Sequence, residues 1–130
     1  MARTALVTGA SGGIGSVTAL RLAACGWDVI GTVRSQEKAE ALITAAAAQV
    51  RLLRTVVLDV AESASCREAM AQVEEMTGGG AWAEVNNAGV PQAGALQDVS
   101  DEQARHVLEV NLLGAMRVCL LSAAGDAASR

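Results

Sequence analysis

The stretch LVTGASGGIG, Leu6 to Gly15, carries glycines at positions 9, 12, 13 and 15 directly after an apolar run. A residue without a side chain lets a ligand approach the backbone closely and adopts positive φ without strain. The spacing of Gly9, Gly13 and Gly15, G-x-x-x-G-x-G, is a variant of the dinucleotide fingerprint G-x-G-x-x-G. If a helix follows, its first N–H groups have no partner within the helix, and its dipole favours an anion at that end. The chemistry implied is capture of a pyrophosphate, although a purely structural turn also explains glycines at such spacing.

Residues able to move protons or ligate metal are few. Cys25, Cys66 and Cys119 lie far apart with no C-x-x-C pair, which fits free thiols better than a zinc site or a disulfide framework. No metal site is expected. His106 is the single histidine, and its neighbours place it on the exposed side of a helix, which argues against a ligand or catalytic role. There is no tyrosine, and Lys38 is the only lysine.

These groups need elements to position them. Thr4–Thr8 is a short apolar run ended by glycine, as in a strand buried on both faces. Ile14, Val17, Leu20 and Ala24 then recur at helical spacing, with Gly26 as the stop. Residues 27–33 read as a second strand. Residues 35–49 read as a helix capped by Ser35. A third strand is placed at Arg54–Leu58. Ser65 with Glu68 forms a capping box for a helix over Cys66–Met76. TGGG, at 77–80, breaks the chain, and AWAEV, at 81–85, is a fourth strand. Ser100 and Gln103 form a second capping box, for a last helix over Asp101–Ser122. Four strands alternating with four helices predict an α/β fold, a Rossmann-like doubly wound parallel sheet. Residues 1–122 form one domain in this reading, and 123–130 a frayed tail.

Composition narrows the classes. The chain has 130 residues, 52% of them hydrophobic, enough for one globular domain with a core. Its net charge of −4, with scattered arginines, argues against a nucleic-acid partner. No apolar run reaches the roughly 18 residues of a membrane span, and the N-terminus lacks the pattern of a signal peptide. A cytoplasmic protein is expected.

TGASGGIG resembles the T-G-x-x-x-G-x-G cofactor motif of the classical short-chain dehydrogenase/reductase family. Three further landmarks follow in family order: LDV at Leu58–Val60, NNAG at Asn86–Gly89 and VNLLG at Val110–Gly114. Gly12 adds the spacing of the extended branch of that family, while NNAG favours the classical one. The tail of the chain is similar to members grouped with hydroxysteroid dehydrogenases and 3-oxoacyl reductases.

The resemblance implies an NAD(P)-dependent oxidoreductase interconverting an alcohol and a carbonyl. It implies Gly9, Gly13 and Gly15 along the pyrophosphate, with Ser11 and Ile14 beside it. It implies Asp59 at the adenine amino group, with Val60 adjacent; a role for Asp59 in capping the next turn is the plainer alternative. Asn86, Asn87, Ala88 and Gly89 fall in the segment that borders the adenosine ribose and ties the fourth strand to its neighbours. Asn111 matches the helix asparagine of the catalytic tetrad. The second strand ends at Thr32 and Val33 and is followed by Arg34, where members specific for NAD usually carry an acidic residue. A guanidinium attracts a 2′-phosphate, so NADP(H) is expected over NAD(H).

The chain also departs from the family. Tyr-x-x-x-Lys, its acid/base pair, is absent, as is the substrate-binding segment that follows. The chain therefore reads as truncated relative to the family and inactive alone. A non-catalytic nucleotide-binding module and a product of truncation without function remain as alternatives. Glu84 occupies a strand position that members fill with apolar residues; as an edge strand it could stay solvated, and Glu84→Leu is expected to stabilise the fold. The apolar face of the last helix (Val107, Leu108, Val110, Leu112, Leu113, Met116) is expected to be incompletely covered and to promote self-association.

Overall fold

A computed structural model of the chain describes residues 3–49 and 52–128, with side chains through Ser122. Four parallel strands, β1 (Thr4–Val7), β2 (Asp28–Val33), β3 (Leu53–Val57) and β4 (Ala83–Val85), form one sheet in the order β3-β2-β1-β4. Helix α1 (Gly13–Ala24) joins β1 to β2, α2 (Gln36–Ala48) joins β2 to β3, and α3 (Ser63–Thr77) joins β3 to β4. The order reverses at β1, so the helices that follow β1 and β4 pack on opposite faces of the sheet, with a crevice at the carboxyl ends of the strands. This is the Rossmann-like sheet expected from the alternation of elements. Among the described residues no helix is long and apolar enough to cross a membrane.

Alternation along the strands builds two cores. Leu6, Ile30 and Val56 point to one face, with Cys66, Met70 and Val73 of α3 packed on them. Val7, Val29, Val33 and Leu53 point to the other, where Ala19, Ala23, Ala39 and Ala46 bring α1 and α2 close. Alanine there is a fitting requirement rather than filler. A Cβ on Gly31 of β2 would already lie 2.9 Å from Leu42 Cδ2 and 3.0 Å from Ala10 Cβ.

Three local expectations are corrected. The buried residues of α1 are Gly15, Ala19 and Ala23, not the stripe of Ile14, Val17, Leu20 and Ala24. Ile14 is 79% and Val17 67% exposed. The helix is turned because Gly15 must face the β1 loop, where a Cβ would fall 2.2 Å from the Gly9 carbonyl oxygen. Second, α3 starts at Ser63 behind Glu62, two residues before the expected cap. Ser65 Oγ instead accepts from the Asp59 backbone N–H at 2.9 Å, satisfying a donor in the preceding turn. Gly78, at φ 72°, ends that helix in the left-handed conformation. Third, the last helix is interrupted. It comprises α4 (Asp101–Leu108), a π-helical turn (Glu109–Gly114) and α5 (Ala115–Ala128), and so extends past Ser122 into the segment expected to fray. The Ser100–Gln103 capping box at its start is present with both reciprocal bonds.

β4 is a sheet edge, the position that would tolerate Glu84. The carboxylate is not merely solvated there. Ser122 Oγ donates to Glu84 Oε2 at 2.6 Å, and Asn86 Nδ2 donates to Oε1. These bonds reduce the stabilisation expected from Glu84→Leu, because the leucine would forfeit them.

Candidate cofactor site

Thr8 is the organising residue of the crevice. It is buried, at the carboxyl end of β1, and its Oγ1 accepts from the backbone N–H groups of Asn87 and Ala88, both at 3.0 Å. Asn87 returns the contact, its Nδ2 donating to the carbonyls of Thr8 and Gly9, both at 3.1 Å. One hydroxyl and one carboxamide thus lock the β1 loop to the β4 loop. Gly9, at φ 66°, fits only as glycine, since a Cβ would lie 2.8 Å from Ala88 Cα. Gly12 and Gly13 differ: a Cβ at either meets no protein atom within 4 Å. Gly13 is held by its φ of 54°, whereas the backbone of Gly12 is extended. No side chain caps the first turn of α1, so its leading N–H groups remain available to an acceptor.

The crevice has a volume of about 260 Å³. It brings together Gly9 and Ser11 of the glycine loop, Arg34 after β2, Asp59 and Val60 after β3, and Ala88 and Gly89 after β4. Gly13, Ile14, Gly15, Asn86 and Asn111, also expected at the site, do not line it. Gly15 serves the packing of α1 against the β1 loop. Asn86 turns its carboxamide to Glu84 and to Cys119 Sγ, at 3.2 Å. Asn111, inside the π turn, uses both ends of its carboxamide on one residue: Oδ1 accepts from Val90 N–H at 2.8 Å and Nδ2 donates to Val90 C=O at 2.9 Å. It pins the segment after NNAG to the helix.

The crevice also holds residues that sequence reasoning did not place there. Gly12 and Thr32 line it, and so does His106, beside Asn87 of the segment expected to border the ribose. Thr32 Oγ1 accepts from Gly9 N–H at 3.3 Å, which ties the glycine loop to β2. Its position at a strand end was the signal available for it. For His106 there was none, because its exposure is compatible with a place on the rim.

Of the two roles weighed for Asp59, the hydrogen bonds show the turn. Its Oδ1 accepts from Ala61 N–H at 3.0 Å, closing the turn, and among the described residues nothing donates to Oδ2. Burial pushes the nearby Cys66 thiol upward in pKa, the Asp59 charge adds to this, and Arg117 opposes it. Desolvation likewise raises the Cys119 thiol, together with its hydrogen bond to Glu84 at 3.4 Å. Both effects favour the neutral thiol, which suits a structural role. Among the described residues no three metal-ligating side chains cluster.

A parallel sheet with a glycine-lined crevice at its switch point defines a nucleotide-binding α/β protein. The sequence model of the short chain dehydrogenase family matches residues 3–124, and the chain belongs to that family. The chain is 35% identical over 114 residues to an NADPH-dependent 1-acyldihydroxyacetone phosphate reductase of Schizosaccharomyces pombe, covering 87% of this chain and 36% of that protein. It is 37% identical over 118 residues to a 3-oxoacyl acyl-carrier-protein reductase of Aggregatibacter actinomycetemcomitans, covering 88% and 47%. Among solved structures, an actinorhodin polyketide ketoreductase variant with NADPH superposes with a TM-score of 0.90 at 31% identity, covering 96% of this chain and 48% of that one. An alcohol dehydrogenase of Thermococcus sibiricus complexed with 5-hydroxy-NADP gives 0.87 at 30%, covering 96% and 53%. The chain spans about half or less of the length of these proteins.

Proposed function

We propose that the chain is the NADP(H)-binding part of a short-chain oxidoreductase that interconverts an alcohol and a carbonyl. The observation that carries this reading is the charge at the mouth of the crevice. Arg34 follows β2 directly, and no carboxylate stands at that strand end to repel a 2′-phosphate. The residues present fit the rest of a dinucleotide. Gly12 and Gly13 leave open space, the N–H groups at the start of α1 have no side-chain cap and would receive an anion, and Asp59 Oδ2 is free to accept from an adenine amino group. In this reading Gly9, Ser11 and Gly13 border the pyrophosphate, Ile14 and Gly15 set the start of α1, and Val60, Ala88 and Gly89 border the adenosine. Asn86 acts only through the β4 segment, and Asn111 by fixing Val90. The cofactor, when bound, supplies or accepts a hydride.

The chain's own residues stop at binding and positioning. With no tyrosine and its one lysine, Lys38, on α2, it lacks the acid/base pair that would protonate a carbonyl oxygen. The same observation favours the second reading, a nucleotide-binding module without catalysis of its own. Exposed Leu108, Leu112 and Met116 support self-association through the last helix.

Calorimetric titration tests the reading. NADPH is expected to bind more tightly than NADH, and Arg34→Ala to weaken NADPH by about tenfold or more while sparing NADH. Tighter binding of NADH would overturn it. No consumption of NADPH with carbonyl substrates is expected from this chain alone.

A further inference from the structure

The turn after β3 brings Asp59 to the crevice, and three side chains hold its backbone. Ser65 Oγ accepts from the Asp59 N–H at 2.9 Å. Cys66 Sγ donates to the carbonyls of Asp59 and Val60 at 3.7 and 3.6 Å. Both belong to α3, the next element in the chain. The third comes from α5, 57 residues away from Val60 in sequence. Arg117 Nη1 donates to Val60 C=O at 3.1 Å and to Ala61 C=O at 3.4 Å. Its Nη2 is paired with Glu109, so the pair spans the π-helical turn. Gly114, within that turn, packs so closely that a Cβ there would sit 2.7 Å from Val60 Cγ2.

The peptide unit joining Val60 to Ala61 is held at both polar ends. Arg117 donates to its carbonyl oxygen, and its N–H donates to Asp59 Oδ1 at 3.0 Å. A peptide unit is planar, with C=O and N–H on opposite sides, so fixing one end fixes the direction of the other. The carboxylate is planar as well, and Oδ1 held at the turn narrows the directions open to Oδ2. Among the described residues nothing donates to Oδ2, while Asp59, Val60 and Ala61 all line the crevice. A charged donor on the carbonyl also polarises the peptide unit and strengthens the bond made by its N–H. Arg117 itself does not line the crevice and reaches the carboxylate only through this unit.

We propose that Arg117 is a positioning residue for the base of the dinucleotide: by clamping the Val60–Ala61 peptide unit it aims Asp59 Oδ2 at a 6-amino group, and selection of adenine over a 6-oxo purine depends on the clamp. The proposal rests on the placement of adenine at Asp59 given above. Without the guanidinium, the two carbonyls are left to a weak thiol donor and to solvent. The peptide unit then gains freedom to turn, and the carboxylate turns with it. On the same reading the phosphates are held at Arg34 and the glycine loop, so the loss falls on the base.

The test is a ratio of dissociation constants, the hypoxanthine analogue of NADPH over NADPH itself, measured by calorimetry. The analogue places an acceptor where adenine has its amino donor. A hydrogen bond to a carboxylate predicts a ratio of about ten in the unaltered chain. In Arg117→Met it is expected to fall to about two, close to that of Asp59→Ala, which sets the floor. Arg117→Lys keeps the charge but not the fork of donors, and an intermediate ratio is expected. Partial unfolding lowers the apparent affinity for both ligands by one factor, so a merely structural role leaves the ratio unchanged. An Arg117→Met ratio equal to that of the unaltered chain would overturn the proposal and leave adenine at Asp59. Should Arg117→Met fail to fold by circular dichroism, the same result in Arg117→Lys overturns it. A ratio near one in the unaltered chain, with NADPH bound, would remove the placement of adenine at Asp59 and the proposal with it, while the preference for NADP(H) stands. Absence of NADPH binding, with the fold intact, would remove the NADP(H) reading as well.

Discussion

At the amino ends of the strands, Trp27 and Trp82 lie with ring centroids 5.6 Å apart, and the Arg3 guanidinium sits 4.3 Å from the Trp82 ring centre. Asp28 pairs there with Arg54, whose Nη1 also donates to the carbonyl of Met76 at 2.9 Å. At the carboxyl ends there is no aromatic ring among the described residues, and the ion pair of Arg117 with Glu109 sits behind the turn after β3, holding the carbonyls of Val60 and Ala61. One threonine and one asparagine hold the loops, and glycines occupy the closest approaches. The first end fills itself with side chains, leaving Arg54 Nε as its one buried donor without a partner among the described residues. The second keeps backbone donors and open space in reserve, so its order must come from a few buried polar bonds. A site that must accept a ligand cannot also fill itself, and rigidity is supplied by its supporting contacts.

The contrast can be broken most directly at Gly15. Gly15→Val places a branched side chain against the Gly9 carbonyl and Asn87 Nδ2, and a loss of about 4 kcal/mol or more is expected, enough to prevent folding in a small domain. A thermal melt by circular dichroism with an unchanged midpoint would mean that the carboxyl end yields more readily than its geometry says. Thr8→Val keeps the shape but leaves two buried N–H groups without an acceptor. A loss of about 2 kcal/mol in urea unfolding is expected, together with weaker NADPH binding. Arg54→Met tests the other end. The pair is more than a third exposed, so about 1 kcal/mol is expected, with NADPH affinity unchanged. Weakened NADPH binding in Arg54→Met would show that the two ends are coupled, and the distinction between them would fail.

The sequence made the frame legible and the orientations illegible. Apolar runs of strand length were enough to place the strands within two residues, because burial on both faces demands continuous apolar character, whereas α3 begins three residues early and the last helix runs six residues past its expected end. The turn of α1 was hidden because its period allows more than one buried stripe. The choice was made by a contact 78 residues away in sequence, through Asn87, and by the absence of a side chain at Gly15. The π turn was equally hidden. It coincides with a tertiary contact, the two hydrogen bonds between the Asn111 carboxamide and the Val90 backbone, of which helical periodicity carries no trace. His106 was discounted because exposure and membership of a site were treated as alternatives, whereas at the rim of an open crevice they coincide.

Trp27 and Trp82 are the only aromatic residues in the chain, and both stand at the end remote from the crevice. Tryptophan emission from this protein is thus a one-ended optical signal. It follows the separation of β2 from β4 across β1 when the sheet opens. Light absorbed by the indoles and re-emitted by a reduced nicotinamide would have to cross the length of the strands, so the two ends can be watched at two wavelengths in one sample.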